Sequence, residues 1–251
     1  MVEENGVLEV EEKESKEGLH QLLDSTYPLL KKFRDLCPGT YKHSQSISSM
    51  IEGVAISLGI DVNKMKVCAL YHDIGKMFFP KFFSENQLDD ENPHYGFDPL
   101  VSYSIITRHV SDSAVILINE HNFPRDIIEI ISQHHGTSVL KYFAGLSDKD
   151  GKLFRYKTNK PKNVESAVLM ICDQIEATSR SLVNVGKFDP QKVIETTIGD
   201  LINDGQLDDV FMRLGDLKRI KESIAKELEG TYQKRVEYPD GNNHKDEEGL
   251  D

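Results

Sequence analysis

Apolar residues along this chain of 251 residues recur at the three- and four-residue spacing of helices, and no convincing run alternates as a β-strand would. The pattern predicts helices over residues 19–36, 43–60, 63–76, 97–109, 112–121, 124–135, 163–182, 190–203 and 215–230. No internal repeat or low-complexity linker separates them. We therefore expect an all-α fold, with one domain over residues 15–238 between disordered acidic ends at 1–14 and 239–251.

Residues typical of helix ends mark several of these boundaries. Pro38-Gly39 predicts a stop after the first helix. Asp61, Ser111-Asp112 and Asp189 each precede a predicted helix and can cap its free N–H groups. Gly136 follows directly after two histidines and predicts a helix end there.

The net charge of -12 is unevenly distributed along the chain. Residues 1–17 hold seven Glu against two Lys, and residues 239–251 hold five acids against one Lys, so the two ends supply nine of the twelve excess negative charges. The segment 149–162 is locally basic. This distribution argues against binding of bulk nucleic acid, but it is compatible with a small phosphorylated ligand.

Neither a membrane segment nor a signal peptide is indicated. The sequence contains no run of about eighteen apolar residues, and its first residues lack a basic start and an apolar core. We therefore expect a cytoplasmic protein. Cys37, Cys68 and Cys172 lack metal-finger spacing, and we expect all three to be reduced thiols.

The segment CALYHDIGKMFF, residues 68–79, places His72 and Asp73 side by side within an apolar run. Burial of an imidazole and a carboxylate costs several kcal/mol unless each finds a partner or a metal. Further histidines and one aspartate also lie at helix ends or beside apolar runs: His43, His109, His134, His135 and Asp173. A shared metal site explains the set more simply than separate buried partners, and its N/O ligands suit Fe, Mn, Co or Zn.

The order of these residues resembles the HD-domain superfamily of metal-dependent phosphohydrolases, in its dinuclear form. The segments PGTYKHS, YHDIGK, FFSENQ, IITRHV, QHHGTSVLKYF, DQIEATSRSL and INDGQLDD are more narrowly similar to the cytoplasmic domain of PgpH-type cyclic di-AMP phosphodiesterases. The resemblance covers residues 27–239. It implies a helical HD-domain bundle that hydrolyses cyclic di-AMP to linear pApA by attack of a metal-bridging hydroxide.

The resemblance also implies a ligand set for two divalent transition-metal ions, Fe or Mn. One ion is expected at His43, His72, Asp73 and Asp173, and the other at His109, His134 and His135, with Asp73 bridging the pair. His94 follows Asn-Pro in this sequence and is not assigned as a ligand.

Four side chains are expected to contact the cyclic dinucleotide. Lys76 lies one helical turn beyond Asp73, so it can neutralise the scissile phosphate or assist departure of the 3′-oxygen; otherwise it is a helix-end lysine facing water. Arg180 can meet a second phosphate, or it forms a surface ion pair with Glu176. Tyr142 and Tyr156 are candidates for an aromatic wall against adenine.

The sequence departs from the PgpH-type pattern in three respects. Tyr95 stands where the family has Asp, and Ala144 ends the segment that reads KYFY in the family. The extracellular region and the seven membrane helices of PgpH-type proteins are not in this chain, which implies a soluble enzyme or an excised domain. The oligomeric state is left open.

Three other functions remain as alternatives. A cyclic di-GMP phosphodiesterase of the HD-GYP type should carry Gly-Tyr-Pro soon after the paired histidines, and none is present. A mononuclear HD nucleotidase would leave His109, His134 and His135 unexplained. A non-catalytic cyclic-dinucleotide sensor would have little use for the full ligand set.

Overall fold

The computed structural model describes residues 18–87 and 92–233. After a helical stretch at residues 18–22, its helices are α1 (Pro28–Leu36), α2 (Pro38–Leu58), α3 (Val62–Tyr71), α4 (Pro99–Thr107), α5 (His109–Val115), α6 (Arg125–Ser132), α7 (Lys141–Gly145), α8 (Val164–Asn184), α9 (Pro190–Asn203) and α10 (Leu214–Gln233). Short 3-10 helices cover Ile74–Phe78, Pro80–Phe82, Ser84–Asn86 and Gly151–Phe154, and a π-helical turn covers Ile116–Glu120. Among the described residues the strand-like pairing is confined to one isolated bridge, Val139 with Arg155, and the all-α prediction is confirmed.

Helix α2 lies at the centre of the bundle and packs against α3, α8 and α10. Its apolar side joins side chains from those helices and from α6 in one continuous core. Fully buried members include Phe33, Ile47, Ile51, Met65, Ile131, Leu169, Ile194 and Ile220. The three described cysteines are buried and free, as expected.

Several predicted caps are confirmed. The Asp61 carboxylate accepts from the backbone N–H of Lys64 at 2.9 Å, and Asp189 accepts from the N–H of Lys192 at 3.0 Å. These contacts satisfy N–H groups that have no partner within the first turn of a helix. The helices predicted at 163–182, 190–203 and 215–230 also agree with the structure within a few residues.

The stop predicted before Pro38-Gly39 is confirmed, since α1 ends at Leu36. Other predicted boundaries were wrong. The helix predicted from residue 43 already begins at Pro38, because a proline at the first helical position lacks only an N–H that would be unpaired there. The helix predicted over 19–36 is divided in two: residues 18–22 are helical, turns follow at 23–27, and α1 begins at Pro28. Ser111-Asp112 lies inside α5 rather than before a helix, and Asp112 pairs with Arg108 one turn earlier.

No helix in the described ranges is both long enough and apolar enough to span a membrane. The acidic ends at 1–14 and 239–251, for which we expected disorder, lie outside those ranges.

Candidate metal centre

The His72-Asp73 pair lies where α3 gives way to a 3-10 helix. Helix α3 ends at Tyr71, and the tighter turn begins at Ile74. Because the backbone changes direction between these elements, two adjacent side chains can enter one site. Both are almost fully buried, with 0% of His72 and 1% of Asp73 exposed.

A close backbone approach holds this turn against α5. A Cβ atom at Gly75 would meet the carbonyl oxygen of His109 and would lie 2.5 Å from the backbone nitrogen of Ser113. The Ser113 hydroxyl accepts from the N–H of Gly75 at 2.9 Å and donates to the carbonyl of His72 at 2.9 Å. The absence of a side chain at residue 75 therefore lets Asp73 and His109 share one site.

The paired histidines follow the end of α6. Gly136, directly after them, has φ 51°, a left-handed conformation that strongly favours glycine. The buried amide of Gln206 accepts from the N–H of Thr137 at 2.9 Å, and the Thr158 hydroxyl donates to the carbonyl of Gly136 at 2.5 Å. These long-range contacts hold the turn that presents His134 and His135.

The described residues form two groups of side chains that can hold metal ions. One group is Asp73, His109, His134 and His135, and the other is His43, His72 and Asp173. Within each group the donor atoms lie within 4.8 Å of one another. All seven sequence-predicted metal ligands are thus brought together, whereas His94 is in neither group and contacts the carbonyl of Phe82 at 2.9 Å.

The two oxygens of Asp73 face different histidines. Its Oδ2 lies 3.2 Å from Nε2 of His72 and 3.8 Å from Nε2 of His43. Its Oδ1 lies 3.2 Å from Nε2 of His109 and 3.7 Å from Nε2 of His134. A carboxylate in this position can bind one cation through each oxygen.

The unpaired atoms of the site also fit a metal. Nε2 of His72 and Oδ1 of Asp73 are buried and have no hydrogen-bond partner among the described residues. A buried polar atom without a partner costs about 1–3 kcal/mol. A bound cation would satisfy both atoms.

The charges of the site shift its pKa values in opposite directions. Burial opposes ionisation of Asp73, but the positive charges of His72 and Lys76 hold its carboxyl pKa well below the usual value. Burial lowers the pKa of His72, yet the Asp73 charge more than offsets this and raises that pKa to about 10. Burial and the charge of His134 hold the pKa of His135 well below its usual value. A cation that binds His72 must therefore displace a proton from the imidazole, as metal ions commonly do when they bind protonated ligands.

Lys76 reaches the edge of the site rather than open solvent. Its Nζ lies 2.7 Å from Oδ2 of Asp73 and 2.8 Å from Oε1 of Glu85, and 11% of its side chain is exposed. Glu85 in turn accepts from the Thr40 hydroxyl at 3.0 Å. Sequence reasoning missed Glu85, although it lies within the segment FFSENQ that carried part of the resemblance.

A cavity of about 860 Å³ adjoins the metal-binding groups at His135 and Asp173 and extends between α8 and α9. Tyr156 lines it, and the Tyr156 ring stacks on His135 with ring centroids 4.3 Å apart. Its charged lining consists of three lysines, Lys141, Lys187 and Lys192, and four aspartates, Asp173, Asp189, Asp200 and Asp204. Tyr142, which is 63% exposed, and Arg180, which lies 3.9 Å from Glu176, are not in its lining.

Comparison with known proteins identifies the family. A family model for the HD domain matches residues 40–178. The cyclic-di-AMP phosphodiesterases PgpH of Bacillus subtilis and Listeria monocytogenes are 34% and 37% identical over 227 residues, which are 88% of this chain and 32% of each relative. The chain thus spans about one third of the length of these curated relatives.

A solved structure of the Listeria monocytogenes PgpH HD domain in complex with cyclic-di-AMP is 36% identical, with a TM-score of 0.77. The match covers 83% of this chain and 100% of the solved one. A second solved structure of the same HD domain, also 36% identical, gives a TM-score of 0.75. The chain belongs to the HD domain family, and within that family to the group that includes the PgpH HD domain.

Proposed function

We propose that this chain is a metal-dependent phosphodiesterase that hydrolyses cyclic di-AMP to linear pApA, and that a single HD phosphohydrolase domain over residues 15–238 performs the reaction. The main support is the position of Asp73, whose two oxygens face two separate histidine groups within one buried site. The substrate is supported by the similarity to PgpH phosphodiesterases and to an HD domain solved with cyclic-di-AMP.

Two divalent transition-metal ions, Fe or Mn, are proposed as the cofactor. His43, His72 and Asp173 would hold one ion, His109, His134 and His135 the other, and Asp73 would contact both. Imidazole and carboxylate donors without a thiolate suit these metals. When bound, such a pair activates a water molecule and neutralises charge on the phosphate.

Lys76 is proposed to act on the scissile phosphate. Although burial lowers the pKa of its ammonium group, the charges of Asp73 and Glu85 raise that pKa above its usual value, so the group stays protonated. Its positive charge can neutralise a phosphate oxygen, or one of its N–H groups can donate a hydrogen bond to the departing 3′-oxygen.

The cavity beside His135 is proposed to receive part of the dinucleotide. Its volume is within the range of small-molecule sites, and Lys187 and Lys192 in its lining can meet phosphate charge, whereas Lys141 lies 3.1 Å from Asp200. Tyr156 would contribute an aromatic face there. Arg180 and Tyr142 remain proposed contacts for a part of the ligand that extends beyond the cavity.

The test is a chromatographic assay of the purified chain with Mn(II) or, without oxygen, Fe(II). Cyclic di-AMP and cyclic di-GMP are offered in parallel, and an Asp73→Asn variant serves as the control for contaminating activity. We expect preferential conversion of cyclic di-AMP to pApA. Preferential cleavage of cyclic di-GMP would overturn the substrate assignment, and metal-loaded protein that binds cyclic di-AMP without cleaving it would favour the sensor alternative.

A further inference from the structure

The histidines of the site differ in how their second ring nitrogen is held. In three of them, Nδ1 donates to the backbone carbonyl three residues earlier. The pairs are His72 with Ala69 at 2.8 Å, His109 with Ile106 at 2.7 Å and His134 with Ile131 at 2.6 Å. These acceptors are neutral and belong to the same short segment as the histidine.

His43 has a different kind of partner. It lies within α2, and its Nδ1 contacts the carboxylate of Glu176 on α8. Its Nε2 lies 3.0 Å from Oδ1 of Asp173, one helical turn before Glu176. The His43 ring is thus placed between two carboxylates, one in the proposed ligand set and one behind it.

Glu176 is buried, with 6% of its surface exposed. Its charged neighbour besides His43 is Arg180, whose Nε is 3.9 Å away and whose side chain is 35% exposed. A separation of 3.9 Å is too long for a hydrogen bond, so the ion pair expected from the sequence is the weaker of the two contacts of Glu176. The contact with His43 is therefore the structurally important one.

A carboxylate behind a metal-binding histidine has a known physical effect. It accepts a hydrogen bond from Nδ1–H, leaves the Nε2 lone pair free for the metal, and makes the imidazole a stronger metal ligand. A backbone carbonyl also selects the tautomer, but it carries no net charge.

We propose that Glu176 is a positioning residue that holds His43 with its Nε2 available and strengthens metal binding at the group formed by His43, His72 and Asp173. This inference rests on the proposed metal-dependent function of the same site. Loss of the Glu176 charge is therefore expected to weaken this group more than the one that contains His134 and His135.

The experiment titrates the chelator-treated protein with Mn(II) and follows free Mn(II) by electron paramagnetic resonance. For the wild type we expect two bound ions per chain with different affinities. Glu176→Gln keeps the size and an acceptor oxygen but removes the charge, and we expect it to weaken one of the two sites by about 10–100-fold. Thermal unfolding of the same chelator-treated samples reports whether the fold is retained.

Two control variants separate positioning from other roles. Arg180→Gln removes the ion-pair partner of Glu176, and Glu52→Gln removes one negative charge from a surface pair with Lys66. Neither should change Mn(II) affinity by more than about twofold. If Glu176→Gln does not fold, Glu176→Asp keeps the charge but shortens the reach, and it should still weaken one site.

The outcomes distinguish this inference from the proposed function. Two sites of unchanged affinity in Glu176→Gln, or an equal loss in Arg180→Gln, would overturn the role of Glu176 while leaving the metal centre intact. A wild-type protein that binds no Mn(II), Fe(II) or Zn(II) would overturn both. Unchanged Mn(II) affinity in the two controls, together with binding about 10–100-fold weaker at one site in Glu176→Gln, supports both the role of Glu176 and the proposed metal-dependent function.

Discussion

Oδ1 of Asp73 lies 3.2 Å from Nε2 of His109, although Asp73 lies in the turn after α3 and His109 begins α5. The other oxygen of the same carboxylate faces His72 at 3.2 Å. Asp73 is therefore the residue on which the two metal-binding groups converge. Any variant that removes this carboxylate should affect both groups at once.

The first prediction concerns Asp73→Asn. We expect it to lower bound metal from two ions per chain to less than one, and to reduce hydrolysis to the rate seen without enzyme, because neither group keeps a bridging carboxylate. Elemental analysis and product chromatography measure the two effects, and circular dichroism should show retained helix. Wild-type turnover in this variant would contradict the bridging assignment.

The second prediction concerns Lys76→Met, which removes the ammonium group and keeps most of the side-chain volume. We expect kcat for cyclic di-AMP to fall by about 100-fold, since one charge-stabilising group is lost, while metal content stays at two ions. Lys81→Met is the matched control, because Lys81 is an exposed lysine in the next 3-10 helix. An unchanged kcat would assign Lys76 a structural role.

A charge-balanced variant separates stability from catalysis at Lys76. The single change leaves Asp73 and Glu85 without their shared counter-ion, which costs about 3–5 kcal/mol for a broken buried pair. Lys76→Met combined with Glu85→Gln should recover much of that loss. We expect the unfolding midpoint to recover and kcat to stay low; recovery of both would show that Lys76 acts only on the fold.

The third prediction concerns the pH dependence of stability. Burial raises the pKa of Glu85, but the charge and hydrogen bond of Lys76 outweigh it and lower that pKa from 4.5 to about 2. A lowered pKa means that the stabilisation is fully present above pH 4.5 and is lost as pH falls toward 2. This contribution to the free energy of unfolding is at most on the order of 3 kcal/mol at neutral pH.

Urea denaturation of chelator-treated wild type and Glu85→Gln measures this contribution. The difference in free energy of unfolding should be constant from about pH 5 to 7 and should shrink between pH 4.5 and 2. The comparison between the two proteins cancels the titration of the carboxylates that they share. A difference that grows with acid would contradict the assigned pairing of Glu85 with Lys76.

The fourth prediction concerns Gly75→Ala. The added methyl group would collide with backbone atoms of α5, so the His72-Asp73 turn must move away from His109. We expect a loss of about 1–3 kcal/mol in unfolding free energy and a lower metal content. Gly199→Ala is the control, since a Cβ atom there meets nothing within 4 Å; its stability should equal or exceed that of wild type. Normal metal content in Gly75→Ala would show that the close approach is not required.

Much of the helical framework was predictable because it depends on local signals. Apolar periodicity located most helices, and Asp61 and Asp189 marked two helix starts correctly. Pro38-Gly39 marked the end of α1 correctly but not the start of α2, and Ser111-Asp112 was misplaced, because such residues can begin, precede or lie within a helix. The choice among those positions depends on packing against the rest of the chain.

The sequence by itself determined the fold class and the set of side chains able to hold metal, since both depend on residue types and their order. It did not determine how His72-Asp73 meets α5, how Glu85 holds Lys76, or that Glu176 lies behind His43. These contacts join residues that are far apart in the chain or separated by a turn, and no local periodicity encodes them. The tertiary structure decided them because helix packing brings the side chains within hydrogen-bonding distance only after the core has formed.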